Sequence, residues 1–515
     1  MASTSEPVFL GVDLGTTAVK CSLHTLDGTS LGSVAREHVL LTPAPEIVEF
    51  SVHRYWLTFA EALHELLGLS GIAAERVIGL GISAQGETLL AVDSDGEPLC
   101  NAIVWLDNRA RTEAAELDDR FGHELFYEIT GQPAMLPAWP AAKILWIARH
   151  EPLLFERTKR FLLLEDYFVW RLTGEYTCEG SLATSTCYWD FRRKTWWPEM
   201  LDAIGLDVDR LPPLVEPGTA VAPLRAAVAN ELGLSRMTTV CTGALDQACG
   251  AIGVGNTRPG IVSENTGAAL AICATLDSPR LDPKMRFPCH YHGIPNTYMF
   301  HTFTTGGMAL RWFRDEFCES EWAVARERGA DVYDVIAEKA AAVPAGSEGL
   351  VVLPHLQGAM APESNPDARG AVVGLTLRHG RGHVARAILE AIAFVVRRNV
   401  EVLEELGVEV RSIRALGGGA RSRLWKQIEA DVTGRPVTTT VEPEAATLGA
   451  CVLVGVALGT YANVEEAVST MVRVSEIFEP DAAMGACYDD AYATYRHAYE
   501  ALCPVFAREC GGACA

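Results

Sequence analysis

"VFLGVDLGTTAVKCSLHTLDGTSLG", residues 8–32, carries the reading on which the fold turns. An apolar run ends at Asp13, a Gly-Thr-Thr turn follows, and Val19, Cys21 and Leu23 then alternate with polar residues as in a second strand. "LDGT", residues 26–29, closes a further hairpin. The strand, loop, strand rhythm returns in "RVIGLGISAQGETLLAVDSDGEPL", residues 76–99, whereas "EPLLFERTKRFLLLEDYFVWRLTG", residues 151–174, has the closer apolar spacing of helices. After "GVGNTRPG", the stretch "IVSENTGAALAIC" again presents a strand, an Asn-Thr-Gly turn and a strand. The second half thus echoes the first. The class is mixed α/β, with two lobes, residues 1–252 and 253–515.

Later segments are helical. In "HVARAILEAIAFVVRRNVEVLEELG", Ile388, Ile392, Val395, Asn399, Leu403 and Leu406 recur at steps of three or four, and Gly407 is placed to cap the end. The most apolar stretch, "LGACVLVGVALGTYANV", is short and broken by glycines, so it reads as a buried helix rather than a membrane span.

Composition narrows the function classes. The 515 residues exceed one ordinary hydrophobic core, and 43 Lys plus Arg against 66 Asp plus Glu give a net charge of −23. That charge disfavours nucleic acid and anionic membrane as partners. The amino terminus lacks a basic flank followed by an apolar core, so a cytoplasmic protein is expected. Fourteen cysteines occur without CxxC spacing and read as reduced, mostly buried thiols. "CHYH" at 289–292 and "CGGACA" at the carboxyl end could mimic metal sites, but neither has a matching second half.

Three glycine-rich turns carry candidate phosphate chemistry: "DLGTT", "NTGAA" and "LGGGARSRLW". Each would bring backbone amides close to an anion, and two add threonine hydroxyls. A Walker A loop is excluded by the absence of any Gly-Lys pair, and no Rossmann fingerprint has its acidic partner. In "TGALDQACGAIG", Asp246 stands among small and apolar residues, where a bare charge is costly; it could cap the helix that follows or act as a base.

"GVDLGTTAVK", "WPAAKILWI", "GALDQACGAIG", "GAVVGLTLRHGRGHVARAILEAIAF" and "LGGGARSRLWKQIEADVTG" occur in the order and approximate spacing of the FGGY carbohydrate kinases, and the chain resembles that family from about Phe9 to about Gly459. The resemblance implies two actin-like, ribonuclease-H-like lobes with an interlobe cleft, sugar on the first and ATP mainly on the second. It implies that Asp246 is the general base that takes the proton of the attacking sugar hydroxyl, and that Asp13 serves Mg²⁺ through water. Gly15, Thr16, Thr17 and Lys20 would face phosphates from the first lobe, and Thr266 and Gly267 from the second. Gly307, Gly418, Gly419 and Ala420 would line the adenosine side.

For the sugar, Gln85, Glu87 and Thr88 match the glycerol kinase pattern, but Gly86 replaces its arginine, which removes a donor and is expected to enlarge the cavity. Trp105 offers an apolar face and Asp107 an acceptor, beside Asp246 and Gln247. The resemblance therefore points to an ATP-dependent kinase of a ketopentose such as D-xylulose. Ribulose, erythritol and glycerol stay open as acceptors, as does an actin-like or chaperone-like ATPase module. A homodimer is an open expectation too.

Overall fold

The computed structural model describes residues 6–511, with side chains described to residue 507; the "CGGACA" cluster therefore lies outside the described side chains. Two compact bodies emerge. The first comprises residues 1–257, 275–299 and 444–473, and the second comprises 258–274, 300–443 and 474–515. A sequence division at 253 separates the two halves along the chain, but in space the segment Glu444–Arg473 of the second half belongs to the first body.

The first body is built on a six-stranded sheet in the order Ala220–Pro223, Thr239–Leu245, Val77–Ala84, Val8–Leu14, Ala18–Thr25, Ser30–Glu37. Val8–Leu14 and Ala18–Thr25 form the antiparallel hairpin that the opening stretch predicts, and "LDGT" closes the next, with Gly28 in the left-handed region at φ 78°. Val77–Ala84 runs parallel to Val8–Leu14 on one side and to Thr239–Leu245 on the other. These strands are buried at all but Ile78 and Thr239, which is why they read as apolar runs rather than alternations. A five-stranded sheet in the same body includes Leu89–Val92, Ala102–Ile103 and Arg160–Leu163.

Residues 151–174 depart from the helical expectation, because Arg160–Leu163 is a strand between the helices Pro152–Arg157 and Leu164–Thr173. It pairs antiparallel with Leu89–Val92. A short apolar run such as Phe161–Leu163 fits a buried strand or a buried helix equally well, and only the partner strand decides.

The second body repeats the plan. Gly260–Thr266 and Ala269–Leu276 form an antiparallel hairpin, Gly260–Thr266 pairs in parallel with Val410–Leu416, and Val410–Leu416 with Val437–Thr440. Helix Arg381–Glu405 buries Ile388, Ile392, Val395, Asn399 and Leu403, and the Gly407 amide closes its end on the Glu404 carbonyl at 2.9 Å. Among the described residues no helix is long and apolar enough to cross a membrane.

The apolar stretch near the end of the chain forms helix Ala445–Ala457, seated in the first body against glycine backbone. A Cβ on Gly11 would lie 2.3 Å from the Thr447 carbonyl oxygen, and one on Gly81 2.7 Å from that of Ala450. The helix also meets Asp246–Gly253, where a Cβ on Gly449 would lie 1.9 Å from the Cys249 carbonyl oxygen. Gly11 and Gly81 thus admit the helix backbone, and Gly79 the side chains of Val454 and Leu458.

Candidate active site

Three parallel strands of the first body end side by side, and their carboxyl ends carry the acidic residues singled out in the sequence. Asp13 is in register with Ser83, and Ala244 is in register with Ser83 from the other side, so Asp246 follows two residues beyond the same row. Carboxyl ends of parallel strands are where open α/β sheets bind ligands.

Asp13 is buried and accepts a hydrogen bond from Ser83 Oγ at 2.8 Å. Burial raises its proton affinity, and the Lys20 ammonium opposes that rise. Asp246 is the first residue of helix Asp246–Gly253; its Oδ1 accepts from the Gln247 amide at 2.7 Å, and the side chain is half-buried. Burial, with the Asp13 charge as the next cause, pushes its pKa up to about 8. Glu87 is pushed up to about 7 by burial, against Ser185 and Lys143. Two carboxyls adjusted toward neutrality at one sheet edge have the character of an acid-base site rather than of a solvated surface.

A stability consequence follows for Asp246. Its folded pKa lies above the unfolded value of 3.8, so the native state loses stability as pH rises between the two. Asp246→Asn, free of that loss, should be more stable than the parent by about 2 kcal/mol or more at pH 8.5, with the gap narrowing toward pH 6. Denaturant unfolding of both proteins at the two pH values checks this; equal stability at both would mean that the carboxyl is well solvated.

The Gln85–Thr88 loop behaves differently from expectation at two positions. Gln85 is buried, donates to the Gly15 carbonyl at 3.2 Å, and accepts from Thr16 Oγ1 at 3.2 Å and Thr88 Oγ1 at 3.1 Å. Its amide props the Gly15–Thr16 turn instead of facing a sugar. Gly86 opens no cavity: a Cβ there would lie 2.9 Å from Ser185 Oγ and 3.1 Å from Leu245 Cδ1. The expected extra volume is already filled by these two side chains.

Asp107 is corrected too. It is fully buried, its Oδ2 accepts from the Val48 amide at 2.7 Å, and both oxygens receive Arg109, whose guanidinium also pairs with Glu49 at 2.5 Å. With its oxygens taken and no exposure, it is a turn anchor. Trp105 remains half-exposed and donates through Nε1 to Thr16 Oγ1 at 2.8 Å, which ties its indole to the first turn. Thr16 therefore faces Gln85 and Trp105, Thr17 is exposed, and Lys20 pairs with Glu444 at 2.8 Å. Gln247 stays half-buried beside Asp246.

The structure adds residues that sequence reasoning passed over. Glu165 Oε1 accepts from the Gly243 amide at 2.6 Å, and Ser181 Oγ accepts from the Leu245 amide at 2.9 Å while donating to Glu179 Oε1 at 2.7 Å. These side chains fix the strand end immediately before Asp246. Lys143 is completely buried. Its signal was present in "WPAAKILWI", a lysine inside an apolar helical run.

In the second body the glycine turns separate into two kinds. A Cβ on Gly417 would meet Asn265 Oδ1 at 2.5 Å, and one on Gly419 would meet Thr266 Cβ at 2.7 Å, so these two glycines serve close packing. Gly267 and Gly418 have nothing nearer than 3.9 Å in that direction and are exposed. Gly307 donates to the Gly267 carbonyl at 3.0 Å, and Ala420 to that of Gly417 at 3.3 Å. Thr266 Oγ1 is buried without a hydrogen-bond partner among the described residues, an orphan that a phosphate oxygen would satisfy. Open amide-rich turns beside an unsatisfied hydroxyl fit a nucleotide.

Comparison with known proteins bears directly on this arrangement. Residues 8–253 match the N-terminal domain of the FGGY family of carbohydrate kinases, and residues 272–458 match its C-terminal domain. The chain belongs to the FGGY family. Among curated relatives, a xylulose kinase of Bacillus subtilis is 30% identical over 95% of this chain and 96% of its own length. An autoinducer-2 kinase of Yersinia enterocolitica is 30% identical over 96% of this chain and 95% of its own. Of solved structures, the xylulose kinase of Rhodospirillum rubrum matches with a TM-score of 0.86 at 30% identity, covering 96% of this chain and 99% of that one. As an FGGY protein the chain is a carbohydrate kinase, a phosphotransferase to an alcohol group, with ATP as the family's phosphoryl donor and the two-lobed actin-like fold.

Proposed function

We propose that the protein phosphorylates a ketopentose such as D-xylulose with ATP in the cytoplasm, with Asp246 as general base. The observation that carries the reading is Asp246 itself: a half-buried carboxyl, raised to about 8, at a helix start beside Asp13. Such a group has a high proton affinity and, once ionised, which a pKa of about 8 places in the mildly alkaline range, it accepts a hydroxyl proton. The sugar oxygen then bonds to the γ-phosphorus as the bridge to ADP breaks, a transfer that depends mainly on positioning and charge neutralisation. Asp13 would hold Mg²⁺ through water, which would offset the mutual repulsion of the two carboxylates and the charge on the phosphates. Thr266, Gly267, Gly307, Gly418 and Ala420 would contact the nucleotide, with Gly15, Thr16 and Thr17 on the phosphates; Lys20 would reach them only by leaving Glu444.

The sugar reading rests on Glu87 and Trp105, since Gly86 provides no added room. A five-carbon chain gains a carboxylate acceptor and an indole face that glycerol is too short to use together. D-Xylulose should exceed glycerol in kcat/KM by at least about tenfold, roughly 1.4 kcal/mol. A coupled ADP-release assay across pentuloses, polyols, gluconate and autoinducer-2 tests it. Glycerol matching D-xylulose, or autoinducer-2 exceeding it, would reassign the acceptor; ATP turnover indifferent to every acceptor would favour an ATPase module.

A further inference from the structure

Lys143 lies in helix Pro140–His150 and is fully buried, which is rare for a lysine without a carboxylate in contact. Its ammonium instead donates to two backbone carbonyls, that of Glu87 at 3.1 Å and that of Val104 at 2.9 Å. Those carbonyls come from two separate segments. One is the Gln85–Thr88 loop, which follows strand Val77–Ala84; the other is the turn after strand Ala102–Ile103, which leads straight into Trp105. Glu87 moreover holds φ at 58°, a left-handed conformation that a non-glycine residue keeps only where its surroundings impose it.

We infer that Lys143 is a positioning residue for the sugar: by binding the Glu87 and Val104 carbonyls with one ammonium, it fixes the Glu87 carboxylate and the Trp105 indole at a set separation. The inference rests on the proposed assignment of Glu87 and Trp105 to the acceptor. A purely structural filler would be apolar at this place, since burial lowers the lysine's proton affinity, to a pKa of about 7, despite the nearby charges of Asp107 and Glu87, with Arg109 acting in the same direction as burial. The buried donor is retained where an apolar side chain of equal length would pack more cheaply. What the ammonium supplies and methionine cannot is a pair of hydrogen bonds to two loops.

The experiment compares Lys143→Met, which keeps bulk and removes the donors, with Lys143→Gln, which keeps donors and removes charge. Hydrogen exchange of peptides covering 85–90 and 103–108 reads the clamp without any substrate. Exchange there should rise at least about tenfold in Lys143→Met and less in Lys143→Gln, with no change in peptides from strand Val8–Leu14. Kinetics read the consequence: the sugar KM should rise at least about tenfold in Lys143→Met, with partial recovery in Lys143→Gln, while the ATP KM stays within about twofold. Unaltered exchange in both variants overturns the clamp. Looser loops with an unaltered sugar KM, or equal losses for sugar and ATP, overturn the positioning role. A wild-type enzyme that phosphorylates no sugar strikes at the assignment of the acceptor, and the exchange data then decide the clamp on their own.

Discussion

Turnover of Asp246→Asn is expected to fall by about 10²–10⁴-fold, the range that positioned general bases contribute. Asparagine keeps the shape and can still accept from the Gln247 amide, which Oδ1 of the aspartate does at 2.7 Å, so the helix start should survive. What disappears is the group proposed to take the hydroxyl proton. ATP affinity should change little, because Asp246 is not among the residues assigned to the nucleotide, and most of those belong to the second body whereas Asp246 belongs to the first. Steady-state kinetics with equilibrium nucleotide binding on the same preparation separate the two effects. A variant that keeps more than about a tenth of the parental turnover would remove Asp246 from the chemistry. The denaturant unfolding of this variant separates loss of the base from misfolding as the cause of any loss.

A large effect on stability is expected from one methyl group at Gly449. Its Cβ would stand 1.9 Å from the Cys249 carbonyl oxygen, inside helix Asp246–Gly253. Backbone cannot rotate away as a side chain would, so the two helices must separate or helix Ala445–Ala457 must lose its seat on the sheet. Gly449→Ala should cost more than about 3 kcal/mol, beyond the usual range for overpacking. Gly485→Ala is the control: it lies in a helix with nothing within 4 Å of the added atom, and it should be neutral or slightly stabilising. Thermal unfolding of the two variants beside the parent checks the pair. If Gly449→Ala melts with the parent, the close crossing of these helices is wrong.

Local signals carried much of the architecture. The hairpins of both bodies were legible because Asp-Gly and Asn-Thr-Gly turns interrupt apolar runs, and helix Arg381–Glu405 because its apolar residues keep a helical period. Strand Arg160–Leu163 was not legible, since a short apolar run acquires its identity from Leu89–Val92, distant in sequence. At the site, Asp13 and Asp246 lie at strand ends, and register places Asp246 two residues beyond the row that holds Asp13. A polar residue in a loop looks the same in sequence whether it meets a ligand or its own chain: Gln85 meets the Gly15 carbonyl and the Thr16 and Thr88 hydroxyls, and Asp107 the Val48 amide and Arg109. Gly86 was misread for a related reason: a missing side chain suggests space, but the neighbours Ser185 and Leu245 decide whether space exists. The glycines of "GVD" and "GLGIS" carry no sequence signal of their packing role, and they are contact points for helix Ala445–Ala457.

That helix also sets a clock on synthesis. A nascent chain that has reached residue 253 already holds Asp13, Asp246 and every strand of the first six-stranded sheet, but the backbone of Gly11, Gly81 and Gly253 is still bare. The segment that covers it leaves the ribosome only after residue 444, when most of the second body has been made. The amino-terminal body therefore cannot mature first and wait, as beads on a string do. Helix Asp246–Gly253 gains its packing partner near the end of translation, so a prematurely terminated product carries Asp13 and Asp246 without the packing that holds them in place.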